Sequence, residues 1–153
     1  MTDVLTLEQR TRNMRNIRGK NTKPELLLRH ALHALGLRYR LHQRDLRGCP
    51  DIVFPKYRAV IFVHGCFWHR HGCSATTTPA TRRDFWEKKF AENAERDHRN
   101  IEGLIRSGWR VLIVWECALK GKAKKNLPVL CAKIFQTLKT SGSGITCMYF
   151  SPT

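Results

Sequence analysis

The residues best suited to chemistry are concentrated in one segment, which reads DIVFPKYRAVIFVHGCFWHRHGC from Asp51 to Cys73. The segment opens with an acid. Two cysteines and three histidines follow soon after Val63: His64, Cys66, His69, His71 and Cys73. Carboxylates bind hard cations such as Mg2+, whereas thiolates and imidazoles suit Zn2+. The segment therefore carries donors for two different kinds of metal ion.

Two short apolar runs connect the acid to the histidines and cysteines. Ile52–Phe54 and Ala59–Val63 contain many β-branched residues, and Pro55–Arg58 separates them. This pattern predicts two neighbouring strands joined by a tight turn. Asp51 at the start of the first strand would then lie close to the His/Cys group at the end of the second. We take this proximity as the central prediction from the sequence.

Four of the soft donors form a complete tetrahedral set. Cys66, His71 and Cys73 are close in sequence, and Cys117 follows the apolar run Trp109–Trp115, which could return to the same sheet edge. Three cysteines and one histidine are typical of a structural zinc site. The alternative is a group of reduced, partly buried cysteines without a metal. That alternative is the preferred interpretation for the remaining thiols, which are Cys49, Cys131 and Cys147.

The remaining groups suggest phosphate chemistry. Asp51 can hold Mg2+ together with the main-chain carbonyl of Val63, and the ion can position a phosphate. His69 can accept a proton from water near neutral pH if a carboxylate such as that of Asp97 orients its ring. The alternative for each histidine is a surface or satisfied core residue. Three histidines beside an acid make that alternative less favourable.

Two predicted helices must position these residues. Thr22 is suited to be the N-cap of the first helix, Glu25 would complete a capping box, and Gly36 would end the helix. Thr81 is predicted to cap the second helix, which would run to about Ser107.

A stripe at helical spacing runs along the second helix and turns Asp97 inward. The other members of this stripe are Trp86, Phe90, Asn93, Ile101 and Leu104. An isolated buried carboxylate is costly, so Asp97 must be paired or used in chemistry. A buried arginine or a helix end is the alternative partner.

The remaining segments complete an α/β or α+β pattern. Strands are predicted at Leu37–His42, Trp109–Trp115 and Ile145–Phe150, and a helix at Leu127–Leu138. The stretch Trp109–Trp115 is almost entirely apolar, which is typical of a central strand that is covered on both faces. We expect a basic N-terminal arm or helix over residues 1–22, one domain over 23–140 and a C-terminal tail over 141–153.

Charge narrows the range of partners. The chain of 153 residues has 28 Lys and Arg against 12 Asp and Glu, for a formal net charge of +16. Such an excess favours nucleic acid and other polyanions, because phosphate contacts release counterions. A merely soluble basic surface is the alternative. The sequence has no apolar run long enough to span a membrane and no signal-peptide core at its start, so we expect a cytoplasmic protein without a membrane partner.

The sequence resembles the very-short-patch repair (Vsr) endonuclease family, a branch of the restriction-endonuclease-like PD-(D/E)xK nucleases. The resemblance lies in GCPDIVFPKYRAVIFVHGCFWHRHGC, FWEKKFAENAERD, GWRVLIVWECALKG and RTRNMRNIRGKNTKPE, which cover most of residues 10–121. It implies an α/β fold with a central mixed sheet flanked by helices and a structural zinc site. The implied activity is Mg2+-dependent nicking of double-stranded DNA 5′ to the thymine of a T:G mismatch left by deamination of 5-methylcytosine. Coupling to mismatch-repair proteins and a monomeric state are further expectations.

The resemblance also implies roles for individual residues. Asp51 and the Val63 carbonyl would bind Mg2+, and His69, oriented by Asp97, would activate water. His64 and Glu25 would support the network of water and metal. The zinc ligands would be Cys66, His71, Cys73 and Cys117. The residues expected to contact DNA are Phe67, Trp68 and Trp86 as wedging aromatics, Met14 on the N-terminal arm, and Lys89 and Asn93 at the mismatch.

The chain departs from the family pattern at two points. Arg47 and Cys49 stand where the pattern has Pro and a basic residue, which affects local DNA contacts but not the chemistry. The lysine of the wider superfamily's third motif is absent, and His64 would stand in for it.

Two other functions are alternatives: a restriction-type endonuclease acting on unmodified duplex, and a zinc-containing DNA-binding module without catalysis. Asp51 and Asp97 argue against a pure binder, because acids facing a phosphate repel it.

Overall fold

A five-stranded mixed β-sheet forms the centre of the protein. The structure is a computed structural model that describes residues 5–16, 19–140 and 147–152. The strands, in their order across the sheet, are β1 (Arg40–Leu41), β2 (Ile52–Phe54), β3 (Ala59–His64), β4 (Arg110–Trp115) and β5 (Cys147–Phe150). β2 pairs antiparallel with both β1 and β3, whereas β3, β4 and β5 run parallel to one another.

Helices cover both faces of the sheet. They are α1 (Leu7–Asn16), α2 (Lys23–Ala34), α3 (Cys66–His69), α4 (Arg83–Arg106) and α5 (Leu127–Lys139). Apolar side chains of α2 and α5 pack on one face, among them Leu28, Leu32 and Ile134. Leu104 of α4 packs on the other face. The predicted α/β class with a central mixed sheet flanked by helices is therefore confirmed.

The sequence of β4 explains its central position. Val111 and Ile113 belong to the apolar cluster on the α4 face, while Leu112 and Val114 belong to the cluster on the α2 and α5 face. Because successive side chains of a strand point to opposite faces, a strand covered on both sides must be apolar throughout. The prediction for this strand is confirmed.

The predicted N-cap of α2 is confirmed, whereas its capping box and the predicted N-cap of α4 need correction. Thr22 does cap α2, since its hydroxyl accepts a hydrogen bond from the Glu25 N–H at 3.4 Å. The Glu25 carboxylate, however, faces His42 and Arg29, so the capping box is only half formed. Thr81 does not cap α4; the N-cap residue is Arg82, at φ 55°, and the Thr81 hydroxyl instead accepts a hydrogen bond from Arg10.

Two predicted strands also differ from the observed ones. The first is limited to Arg40–Leu41, because Leu37 turns into the core and His42 has a left-handed φ of 45°. The last strand is confirmed over Cys147–Phe150, whereas Ile145 lies outside the described residues.

The chain ends relate to the sheet in different ways. The predicted basic helix near the N-terminus is present as α1, and residues 17–18 lie outside the description. Residues 147–150 pair with β4 and place Phe150 in the core, so this part of the predicted tail belongs to the sheet. The proposed division into arm, domain and tail stays a prediction. Among the described residues no helix is both long and apolar enough to cross a membrane.

Arg110, the first residue of β4, connects this strand to the C-terminal end of α5. Its guanidinium donates hydrogen bonds to four main-chain carbonyls, those of Thr137 (2.8 Å), Thr140 (3.1 Å), Leu138 (2.9 Å) and Tyr57 (3.2 Å). The last carbonyls of a helix have no partner within the helix. One side chain therefore satisfies the end of α5 and ties it to the turn between β2 and β3.

We expect Arg110→Ala to lower the free energy of unfolding by about 2–3 kcal/mol, because several charge-assisted hydrogen bonds are lost at once. Urea unfolding followed by circular dichroism measures this change. Arg106→Ala, on an exposed side chain of α4, is the matched control and should change stability by less than about 0.5 kcal/mol. Equal effects of the two substitutions would contradict the role given to Arg110.

Candidate active site and metal-binding groups

The ends of three strands meet at one edge of the sheet. Because β2 is antiparallel to β3 and β4 is parallel to it, the start of β2 lies beside the ends of β3 and β4. The Val63 N–H donates a hydrogen bond of 2.7 Å to the Asp51 carboxylate. The structure thus brings the acid and the His/Cys segment together, as the sequence predicted.

Asp51 belongs to a group with Glu25 and His42. Their ligand atoms all lie within 4.8 Å of one another. Glu25 is only 2% exposed, and its Oε1 lies 2.6 Å from His42 Nε2 and 3.4 Å from Arg29 Nη1. His42 was not singled out from the sequence, because nothing near it in the chain marks it as a partner of Glu25.

The electrostatics of this group favour a cation. Burial raises the pKa of Asp51 to about 7; the Val63 N–H opposes this shift and the nearby Glu25 adds to it. A buried carboxylate with a raised pKa is stabilised in its charged form by a bound positive ion. The two carboxylates are oxygen donors, which Mg2+ prefers. The donor set of Asp51 and Glu25 therefore fits a hard divalent ion.

A second group consists of His64, His69 and Asp97. The Nδ1 atom of His69 is hydrogen-bonded to the Asp97 carboxylate. The rings of His64 and His69 stack with centroids 3.9 Å apart. Asp97 faces inward, with its side chain 18% exposed, and His69 is its partner in place of the arginine or helix end considered as alternatives. This pairing fixes the orientation of the His69 ring.

His64 is enclosed more fully than His69. It is 7% exposed, and its ring also meets Trp115 edge-on. Burial, with a smaller contribution from neighbouring His69, lowers the pKa of His64 to about 3, and Asp97 opposes the shift. The ring is therefore neutral at physiological pH.

The third group, the soft-donor group, consists of three cysteine thiols and one histidine imidazole. The ligand atoms of Cys66, His71, Cys73 and Cys117 lie within 4.8 Å of one another. His71 Nε2 is 3.1 Å from Cys117 Sγ, and its ring stacks on Trp115 with centroids 4.3 Å apart. Donors held about 2.0–2.3 Å from a tetrahedral zinc ion lie within about 4 Å of one another. The donor types and their convergence therefore fit Zn2+.

The one-turn helix α3 connects the second and third groups, and Glu116 holds its start. Cys66 begins α3 and His69 ends it. Glu116, directly after β4, accepts the Cys66 N–H at 3.2 Å, and its other oxygen lies 2.8 Å from Lys120 Nζ. Sequence reasoning missed Glu116, whose position after an apolar strand was the only available signal.

The predicted wedging aromatics form a half-buried cluster. Phe67 and Trp68, both within α3, contact Trp86 of α4. The Asn93 side chain is buried, at 4% exposed, and donates a hydrogen bond of 3.2 Å to the Trp68 carbonyl. Asn93 thus holds the main chain of α3 at Trp68, and in this arrangement its own side chain presents little surface to a ligand.

Two other predicted contact residues are accessible. Met14 is 50% exposed on α1, and Lys89 is exposed on α4. In the loop before Asp51, Arg47 lies across α4, where its guanidinium donates to the Arg99 carbonyl at 3.4 Å, and Cys49 is exposed. The unusual arginine of this loop therefore contacts α4.

Comparison with known proteins identifies the family. The chain is 51% identical over 119 residues to the type II nicking enzyme V.XorIIP of Xanthomonas oryzae pv. oryzae, covering 78% of this chain and 88% of the relative. It is 49% identical over 124 residues to the DNA mismatch endonuclease Vsr of Escherichia coli, covering 81% and 80%. The chain belongs to the Vsr family. The family model described as DNA mismatch endonuclease Vsr matches residues 2–75, a Vsr segment that includes Glu25 and Asp51.

A further relative has the same character. The type II nicking enzyme V.NmeAIP of Neisseria meningitidis is 46% identical over 123 residues, covering 80% of this chain and 88% of the relative. The resemblance inferred from the sequence motifs is therefore confirmed, and this Vsr-family chain is an endonuclease.

We expect Glu116→Ala to destabilise the protein by about 1–2 kcal/mol, because the first N–H of α3 loses a charged acceptor. Glu116→Gln retains an acceptor oxygen and should lose less. Thermal unfolding followed by circular dichroism measures both variants. Glu95→Ala, at an exposed position on α4, is the control, and a loss as large as that of Glu116→Ala would refute the assignment.

Proposed function

We propose that this Vsr-family endonuclease nicks one strand of double-stranded DNA 5′ to the thymine of a T:G mismatch, in a reaction that depends on Mg2+. The observation that carries the proposal is the His69–Asp97 pair at the same sheet edge as Asp51. A paired histidine beside a metal-binding acid is the arrangement that metal-assisted hydrolysis of a phosphodiester requires.

His69 is the proposed general base. Asp97 bonds to Nδ1, which leaves Nε2 to accept a proton from water. A carboxylate on one ring nitrogen fixes the tautomer and stabilises the imidazolium that forms. His64, stacked on the same ring, limits its movement, and we propose that it stands in for the lysine of the wider nuclease superfamily.

Asp51 and the main-chain carbonyl of Val63 are the proposed Mg2+ ligands, with Glu25 supporting the surrounding water. When bound, the ion supplies positive charge that positions the phosphate and stabilises the charge developing on it. The residues themselves hold the site rigid, since Asp51 is tied to the Val63 N–H and Glu25 to His42.

Zinc is proposed to have a structural role. Cys66, His71, Cys73 and Cys117 supply four protein ligands, so a zinc ion held by all of them has no open position for substrate. Its effect would be to brace the loop that follows β3. His69 lies between two of the ligands in sequence, so bracing this loop would also fix the proposed base.

The aromatic cluster is proposed to recognise the mismatch. Phe67, Trp68 and Trp86 would wedge between base pairs, with Met14 entering from the minor-groove side. Unstacking a base step costs a few kcal/mol, roughly, and the cost is lowest where pairing is already weak. Lys89 is suited to contact DNA directly. The buried Asn93 would act at the mismatch through Trp68, whose carbonyl accepts its hydrogen bond.

The wider context extends the proposal. The net charge of +16 suits duplex DNA as the partner. We further propose a restriction-endonuclease-like topology, a monomer located in the cytoplasm with its DNA, and contact with mismatch-repair proteins. A non-catalytic binding module is disfavoured, because Glu25, Asp51 and Asp97 would only repel a phosphate without a cation between them.

The zinc proposal predicts one zinc ion per chain in purified protein, measured by elemental analysis. Cys117→Ala should remove the ion and lower stability by several kcal/mol, on the order of a lost structural site. Cys49→Ala, which changes an exposed thiol, should leave both zinc content and stability unchanged. A fully active protein without zinc would exclude the structural role.

The catalytic proposal is tested with T:G and C:G duplexes of the same sequence, incubated with and without Mg2+ and resolved on a denaturing gel. Asp51→Ala and His69→Ala should abolish nicking but leave DNA affinity nearly unchanged, because basic residues dominate binding. Asp97→Asn should reduce turnover less, through loss of ring orientation. His98→Ala, on the exposed side of α4, serves as control. Wild-type turnover by His69→Ala would rule out its role as base.

The wedge proposal predicts that Trp68→Ala keeps the fold and the zinc but loses most discrimination between T:G and C:G duplexes. A fluorescent base analogue beside the mismatch should report unstacking with the wild-type protein but not with this variant. Trp68→Phe retains an aromatic ring and should keep part of the signal. If Trp68→Ala unfolds the protein and releases zinc, the ring belongs to the core and the wedge is refuted.

A further inference from the structure

His42 contacts the active site at two points. Its main-chain N–H donates to the Asp51 carbonyl at 3.3 Å, directly beyond the pairing of β1 with β2. Its ring Nε2 lies 2.6 Å from Glu25 Oε1. A carboxylate accepts hydrogen bonds, so the ring nitrogen is the donor. One residue therefore joins the backbone of Asp51 to the side chain of Glu25.

The backbone of His42 is in an unusual conformation. Its φ of 45° falls in the left-handed region, which residues other than glycine adopt infrequently. The conformation ends β1 at Leu41 and is compatible with both contacts of His42. Local strain of this kind persists only where surrounding contacts stabilise it, and the contacts to Asp51 and Glu25 are of that kind.

Glu25 needs an anchor outside its own helix. The other polar neighbour of Glu25, the Arg29 guanidinium, lies four residues further along α2, so that contact orients the carboxylate along the helix and does not connect it to the sheet. Asp51 belongs to the sheet, at the start of β2. His42 follows β1, which is hydrogen-bonded to β2, and its contact with Glu25 therefore connects the Glu25 carboxylate directly to the strands beside Asp51.

We propose that His42 is a positioning residue that fixes the Glu25 carboxylate beside that of Asp51 and thereby sets the affinity of the site for divalent ions. The inference rests on the proposed function in one respect, which is that Asp51 binds the catalytic ion. Residues that hold a ligand or its neighbours in place commonly change metal affinity by about 10- to 100-fold when removed.

Ion binding can be measured without catalysis. Mn2+ accepts the same oxygen donors as Mg2+, and the electron paramagnetic resonance signal of the free ion gives the bound fraction. We expect His42→Ala in zinc-loaded protein to weaken Mn2+ binding by about tenfold or more. His42→Gln keeps an N–H donor and should recover most of the affinity. His30→Ala, at an exposed histidine of α2, should bind Mn2+ as the wild type does.

A double-mutant cycle tests whether His42 acts through Glu25. Glu25→Gln alone should weaken Mn2+ binding to a similar extent. The double variant Glu25→Gln with His42→Ala should bind Mn2+ as tightly as the single variant with the lower affinity, because both changes remove the same interaction. Additive losses would overturn the proposal, as would wild-type affinity in His42→Ala. If His42→Ala proves unfolded by circular dichroism, the cycle is run with His42→Phe, which fills the site without a donor.

Asp51→Ala separates this inference from the proposed function. If Asp51→Ala abolishes Mn2+ binding while His42→Ala and His42→Phe leave it intact, the role of His42 is refuted and the metal assignment stands. If Asp51→Ala leaves Mn2+ binding unchanged, the metal assignment of the proposed function fails. If Asp51→Ala and His42→Ala both lose Mn2+ binding and His42→Gln recovers it, the metal assignment and the role of His42 are both supported.

Discussion

The pairing of β2 with β3 is the constraint on which the site depends. It places Asp51 opposite the end of β3, where the Val63 N–H bonds to the carboxylate at 2.7 Å. Because β4 runs parallel to β3, its end delivers Glu116 and Cys117 to the same edge. A slip of one residue between β2 and β3 would reverse the faces of the apolar side chains. The packing of two apolar layers therefore also fixes the position of the chemistry.

Gathering these polar groups beside a core has an electrostatic cost. Burial raises the pKa of Asp51 to about 7 and lowers that of His64 to about 3. In the first case the carboxylate resists ionisation, and in the second the ring resists protonation. A cation beside Asp51 would reverse the first effect. In the proposed function, a metal ion bound at Asp51 would complete the charge balance of the site, and perturbed pKa values of this kind are common at functional sites.

The group of Cys66, His71, Cys73 and Cys117 is connected mechanically to the group of His64, His69 and Asp97. The short helix α3 begins at Cys66 of the soft-donor group and ends at His69 of the histidine group. Trp115 touches a ring from each group, since His71 stacks on it and His64 meets it edge-on. Any movement of the soft-donor group would therefore reach His69 through one helical turn. Through this connection the proposed four-ligand zinc centre would hold the proposed general base in place.

The sequence by itself determined the strands around Asp51, the apolar central strand, the inward direction of Asp97 and the soft-donor set, because strand periodicity, helical spacing and donor type are local properties. Only the tertiary structure decided which distant groups meet. The Glu25 carboxylate contacts His42 and does not complete its expected capping box. The Glu116 carboxylate accepts a hydrogen bond from the Cys66 N–H, and the Asn93 side-chain amide donates one to the Trp68 carbonyl. Each of these contacts joins elements far apart in the chain. A buried polar group takes whichever partner the packing brings within reach, and local sequence carries no record of that partner.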